Sequence, residues 1–191
     1  VICCSPADQI KLTDNGYAVL NSYDGKYSEC TMDDPTQLRV LETKARRLWF
    51  EYVVESPMSI GGYFEVADGR TAMVIADPAL RTYDGILKQF TDVFTDEVAQ
   101  EAMSIIIGSS VIEVDGRMYS TGGARGTDIS IYDVGLSIPE ETLTDTSAVL
   151  DMTIYYYDPE TDTQADRTDH YTINAVKTEN GWRLDRFYYP Y

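Results

Sequence analysis

Apolar residues recur at three- and four-residue steps in the first half of the chain and at two-residue steps in the second, so helices are expected ahead of a run of strands. Asp34-Pro35-Thr36-Gln37 has the form of a helix start, with an N-cap aspartate, a proline at N1 and a glutamine at N3. Leu38, Leu41, Ala45, Leu48 and Tyr52 follow on one face, which predicts a helix from about Pro35 to Val54, ended by Ser56-Pro57. Tyr63 to Val66 and Thr71 to Ala76 flank Asp68-Gly69 and predict a hairpin. Tyr83, Leu87, Phe90 and Phe94 mark a second helix. Thr95 or Asp96 caps a third, with Val98, Ala102 and Ile105 facing inward.

The remainder reads as sheet. Val111 to Val114 and Arg117 to Ser120 surround Asp115-Gly116, and Ile129 to Val134, Ala148 to Tyr157, Tyr171 to Thr178 and Trp182 to Phe187 follow, the last two joined at Asn180-Gly181 as a type I′ turn. Helices first and antiparallel strands last define an α+β protein in which a curved sheet packs its inner face on helices. Residues Val1 to Asp33 form an N-terminal arm or a short first element, with Tyr17 to Leu20 its apolar stretch, and residues 34–191 form a single domain.

The chain has 32 acidic and 15 basic residues, a formal charge of −17, and this narrows what it can bind. Nucleic acid needs a basic face, and anionic lipid repels such a chain, so neither is an expected partner. From Asp84 to Asp166 there are 17 acids against Lys88, Arg117 and Arg125, whereas Arg39, Lys44, Arg46 and Arg47 give the first helix a basic side. No run approaches the ~18 apolar residues that span a bilayer. The start at Val1, without methionine, predicts export and removal of a signal segment. In an oxidising compartment Cys30 can pair with Cys3 or Cys4, and a lipid on Cys3 or Cys4 is the one expected route to a membrane.

One histidine and three cysteines leave little material for proton shuttling, thiol chemistry or soft metals. His170 falls beside an alternating stretch, as a strand residue would. Asp133, Asp151 and Asp185 neighbour apolar strand positions without being placed together, so each reads as a surface aspartate. Asp158, Glu160, Asp162, Gln164, Asp166 and Asp169 stand at offsets 1, 3, 5, 7, 9 and 12, the spacing of calcium-loop ligands. Thr163 replaces the required glycine and the flanks are strands, so this segment is expected to be a solvated acidic loop between Tyr157 and Tyr171. Met58, Met73, Met103, Met118 and Met152 read as packing. Tyr155-Tyr156-Tyr157 and Tyr188-Tyr189 must each put a tyrosine on an outer face, the raw material of a protein-binding surface. The glycine-rich run Gly122-Gly123-Ala124-Arg125-Gly126-Thr127-Asp128 reads either as a connection between strands or as a recognition loop offering backbone N–H groups and a guanidinium.

Phe94-Thr95-Asp96-Glu97, the hairpin Ile112-Glu113-Val114-Asp115-Gly116-Arg117-Met118-Tyr119 with the glycines from Gly122 to Gly126, and Asn180-Gly181-Trp182-Arg183-Leu184-Asp185-Arg186-Phe187 together resemble secreted bacterial inhibitors of D,L-endopeptidases, the cysteine peptidases that cut cell wall. The likeness runs from about Leu38 to Tyr191; the closing motif is also similar to the last strand of cystatin-like and nuclear-transport-factor-like curved-sheet domains. The resemblance implies a non-catalytic extracytoplasmic protein, without cofactor or metal, that blocks a wall endopeptidase. Tyr119, Gly123, Arg125, Gly126 and Asp128 are the positions it implies for partner recognition. Two other classes remain: a small-molecule-binding or lyase/isomerase-like domain with a pocket in the sheet, needing a buried His170, Asp133, Asp151 or Asp185, and a structural module of an envelope protein.

Overall fold

The structure is a computed structural model and describes residues 10–13, 16–20, 27–66, 69–122 and 131–187, without the side chains of residues 10–31 and 132. The chain divides into two compact units, Val1–Val40 and Leu41–Tyr191. In the first, β1 (Ile10–Thr13), β2 (Gly16–Leu20) and β3 (Tyr27–Thr31) form an antiparallel meander in the order β1-β2-β3. Cys30 lies on β3 opposite Tyr17, and Cys3 and Cys4, with which it was expected to pair, lie outside the described residues.

Helix α1 (Asp34–Trp49) begins one residue earlier than its sequence suggests. The cap is Asp33, whose carboxylate accepts from the Thr36 N–H at 2.9 Å, and Gln37 reaches back to the Met32 carbonyl at 2.7 Å. Hydrogen bonds from the Thr36 hydroxyl and then the Thr36 N–H stabilise the Asp33 carboxylate and hold its pKa below the ordinary value. With two adjacent aspartates before a proline, either can fit the motif, and only the backbone decides. The expected continuation to Val54 exists as a π-helical turn, Phe50–Val54, which keeps Tyr52 and Val54 buried.

The second unit is α+β, and one of its sheets curls into a half-barrel. After α1, β4 (Ser59–Glu65) and β5 (Thr71–Ile75) form the expected hairpin, followed by α2 (Tyr83–Thr91) and α3 (Asp96–Ile106). The remaining strands fall into two sheets rather than one. β6 (Val111–Val114) and β7 (Arg117–Ser120) join the first hairpin in the order β4-β5-β7-β6, through Met73 opposite Ser120. β8 (Ile131–Ser137), β9 (Ser147–Asp158), β10 (Thr163–Thr178) and β11 (Gly181–Leu184) form the other, in the order β11-β10-β9-β8. Asp115 and Gly116, at φ 52° and 75°, make a two-residue turn between β6 and β7 in which both residues are left-handed, the type I′ form. The turn before β11 differs from expectation: Glu179-Asn180 occupy it, and Gly181, at φ 95°, is the first residue of β11, paired with Thr178, instead of sitting within the turn.

The helices are fixed to the second sheet at its β11 edge. Leu184 donates to the Val93 carbonyl at 2.9 Å and accepts from the Thr95 N–H at 3.0 Å, and Arg183 donates to the Thr91 carbonyl at 2.7 Å. Phe90, Phe94 and Phe187 pack as a three-ring cluster with centroids 5.3–6.2 Å apart, and Tyr52 joins at Phe90. Burial pushes the Tyr52 hydroxyl well above the ordinary phenol range, while it donates to Gln89 at 2.9 Å. Within α3, Val98 and Ala102 face inward as expected, but Ile106 is the buried isoleucine and Ile105 is 40% exposed.

Candidate functional site

The site begins at Tyr119 on β7. Its neighbour Met118 is buried while Tyr119, by strand alternation, faces the other way and is half-buried. The Tyr119 ring meets Phe64 of β4 edge-on, with centroids 5.2 Å apart, and Tyr119, with Val114, packs against a small apolar cluster of Val66, Ala72 and Ile112. The Arg117 guanidinium lies 6.0 Å from the Tyr119 ring centroid, at the outer limit of a cation–π contact. Beside Phe64, Tyr63 is 59% exposed and its hydroxyl donates to the Gly122 carbonyl at 3.4 Å, a long hydrogen bond.

Gly122 is where this aromatic face meets the glycine-rich run. It sits at φ 66°, and a Cβ there would come within 2.3 Å of the Met73 methyl and 2.5 Å of the Tyr63 hydroxyl, so only glycine fits without displacing both. Hydroxyls fix the entrance to the run. Ser120 Oγ accepts from the Gly122 N–H at 3.2 Å, and Thr121 Oγ1 donates to the Ser109 carbonyl at 2.9 Å while meeting Ser56 Oγ at 3.3 Å. Of the five expected recognition residues, Tyr119 lies half-buried on β7, and Gly123, Arg125, Gly126 and Asp128 lie outside the described residues. What the described part offers is aromatic area with two phenolic hydroxyls and an edge strand, β4, which suits contact with another surface.

Sequence reasoning placed a strand at Tyr63 to Val66 but gave no sign that it starts at Ser59 and stays exposed. Met58, expected in the core, is 78% exposed just ahead of β4, and Ile60, Tyr63 and Phe64 are exposed on that strand; Met103, Met118 and Met152 are buried as expected and Met73 half-buried. The available signal was Gly61-Gly62 inside an apolar run, since paired glycines interrupt the alternation that would hide one face.

The other candidates separate. His170 is exposed on β10 opposite Thr153, whose hydroxyl lies 3.2 Å from its Nδ1. Asp133 and Asp185 are exposed, each accepting a backbone N–H, and Asp151 is half-buried on β9. The calcium-like segment is not a loop from Tyr157 to Tyr171: it is a four-residue turn, 159–162, after which β10 starts at Thr163. Asp158 pairs with Thr163 and Asp169 with Ile154, four residues apart along β9, so the two ends of the segment are separated by on the order of 13 Å and cannot close around one ion. Asp158 instead turns the chain, accepting from the Glu160 N–H at 2.9 Å and the Thr161 hydroxyl at 2.8 Å, which lowers its pKa. Among the tyrosine triplet, Tyr156 is buried and Tyr155 and Tyr157 half-buried, so the run lines a sheet rather than presenting a bare face; Tyr188-Tyr189 lie outside the described residues.

Among the described residues no three His, Cys, Asp or Glu are grouped to hold a metal ion, and no helix is long and apolar enough to cross a membrane. Comparison with family models, with curated proteins and with solved structures finds no match to this chain.

Proposed function

We propose that this protein is a non-catalytic, extracytoplasmic binding protein that inhibits a cell-wall D,L-endopeptidase. The observation that carries the reading is the contiguity of Tyr119, Phe64 and Tyr63 with Gly122, which joins exposed aromatic area to the base of the glycine-rich run named by the family resemblance. Aromatic side chains on a rigid strand lose little conformational freedom on binding, so they favour tight contact with a groove. The charge of −17 favours approach to a positively charged rim, and in a cysteine peptidase the active-site imidazolium adds to it.

The test is titration of wall D,L-endopeptidases from the same cell with the protein, beside Tyr119→Ala and Arg125→Ala variants whose circular dichroism matches the parent. Peptidase activity falls with added protein, and each variant inhibits about 10-fold more weakly, as expected of an interface anchor. Absence of inhibition at about 10 μM protein, enough to fill a micromolar complex, for every such peptidase rejects the function. Undiminished inhibition by both variants keeps the function and discards the site.

A further inference from the structure

The edge strand β4 combines three properties that its neighbours lack. Its residues 60–65 are exposed on both faces, including Ile60, Tyr63 and Phe64, with Met58 just before them. It terminates its sheet, so one row of backbone N–H and C=O groups faces away from β5. The β4–β5 ladder also breaks in the middle: Ile60 pairs with Val74 and Phe64 with Ala72, so four steps on β4 match two on β5 and residues 61–63 have no Cα partner there. At the break stand Gly61, at φ 79°, and Gly62, and a Cβ built on either meets nothing within 4 Å. Backbone can therefore be approached closely from outside at the point where the sheet itself does not use it.

We infer that β4 is a docking edge for an extended segment of a positively charged partner, which adds to the sheet as a fifth strand beside it. Main-chain hydrogen bonds supply the affinity in this mode, and alternate side chains entering apolar contacts supply the selectivity. Here the contacts are Met58, Ile60, Tyr63 and Phe64, and Tyr119 extends them behind Phe64. A second copy of this chain is the wrong occupant on charge, because pairing would bring two molecules of −17 together. A cationic partner is favoured by that charge, and locally exposed Glu55 and Glu65 bracket the strand, with exposed Arg70 on the return of the hairpin. A helical or globular partner would use the side chains and leave unused the backbone of residues 61–63, which has no Cα partner on β5; an extended one uses both.

The inference rests on the inhibitor reading for the partner's identity, which makes the occupant a strand or loop of the peptidase. The experiment is hydrogen exchange of the full chain, alone and saturated with a same-cell D,L-endopeptidase, together with calorimetric binding of the parent and of Ile60→Lys. Ile60 is exposed, so the variant is expected to melt with the parent, and a lysine on an edge both blocks pairing and repels a cationic segment. The expected result is at least 10-fold slower exchange of amides 59–65 in the complex and a Kd at least 10-fold weaker for Ile60→Lys. A tight complex with unchanged exchange over 59–65, or with an unchanged Kd for the folded variant, overturns strand addition and leaves the inhibitor reading intact. No binding by the parent overturns both. Protection of 59–65 in the protein alone, growing with its concentration, makes the occupant a second copy and overturns the inference.

Discussion

Strands β9 and β4 are both rich in apolar residues, yet one is buried on every second side chain and the other hardly at all. On β9, Ala148, Leu150, Met152, Ile154 and Tyr156 are buried and the residues between them are half-covered, because the strand is flanked by β8 and β10. On β4 the same kinds of residue stay in water, at a sheet edge interrupted by two glycines. The difference teaches that apolar content does not decide burial. Unbroken alternation decides it, because it lets one face of a strand remain continuous with its neighbours' faces.

The largest effect that sharpens this contrast is expected from the buried sheet. Trp182 on β11 is 3% exposed, alternates with fully buried Leu184 and carries the Lys177 ammonium 5.2 Å from its ring centroid. Trp182→Ala is expected to cost about 3–5 kcal/mol in chemical denaturation, as loss of a large core side chain does. A loss below ~1 kcal/mol would place the side chain in solvent and invalidate the packing described for β11. Next, Ile154→Ala on β9 is expected to cost about 2–5 kcal/mol, whereas Ile60→Ala on β4 should change stability by no more than ~0.5 kcal/mol. Equal losses in the two variants would break the comparison, because they would mean that β4 is covered by something.

How far the sequence revealed each region follows from the same distinction. The β8–β11 sheet was legible where alternation ran over apolar residues, as from Ala148 to Tyr157, and illegible where it did not. Thr163 to His170 reads as loop because it has no apolar face, yet it is strand, held by its ladder to β9 and by side chains crossing that ladder rather than by burial. The Asp115-Gly116 turn was legible because two left-handed residues in sequence have few solutions, whereas Asn180-Gly181 misled because a glycine at positive φ serves equally within a turn or at the first strand position after it. The capping aspartate and the Ile105/Ile106 choice were each wrong by one residue, the limit of any helical pattern when neighbours are chemically alike. Of the site, Tyr119 was visible through its motif. Tyr63 and Phe64 were not, since nothing local distinguishes an apolar strand that will be an edge from one that will be central.

The smallest predicted effect concerns what holds the polar half of β10. Tyr156 donates to Asp169 Oδ2 at 2.7 Å and Arg167 donates to the same oxygen at 2.9 Å, with the guanidinium stacked 4.0 Å from the Tyr156 ring centroid. The Tyr156 hydrogen bond, then the Arg167 one, favour the charged carboxylate and lower the Asp169 pKa, while the same acceptor, with the desolvation of the phenol behind it, raises that of Tyr156. For a carboxylate whose folded pKa is depressed, the stabilisation is fully present above its unfolded pKa and is lost as pH falls through the folded one. For a phenol whose folded pKa is raised, it is present below the unfolded pKa and lost as pH rises through the folded one. The interaction therefore fails at both ends: below about pH 4 through Asp169 and above about pH 10 through Tyr156. Because Asp169 is only half-buried, with 35% of its side chain in solvent, the contribution is small, and it is best read locally. Asp169→Asn should leave global denaturation nearly unchanged at neutral pH while lowering the hydrogen-exchange protection of residues 163–170 there, measured against the intrinsic exchange rate at that pH, toward the protection that the parent keeps only in acid. Identical exchange of parent and variant across this segment at neutral pH would show that β10 is held by its backbone ladder alone.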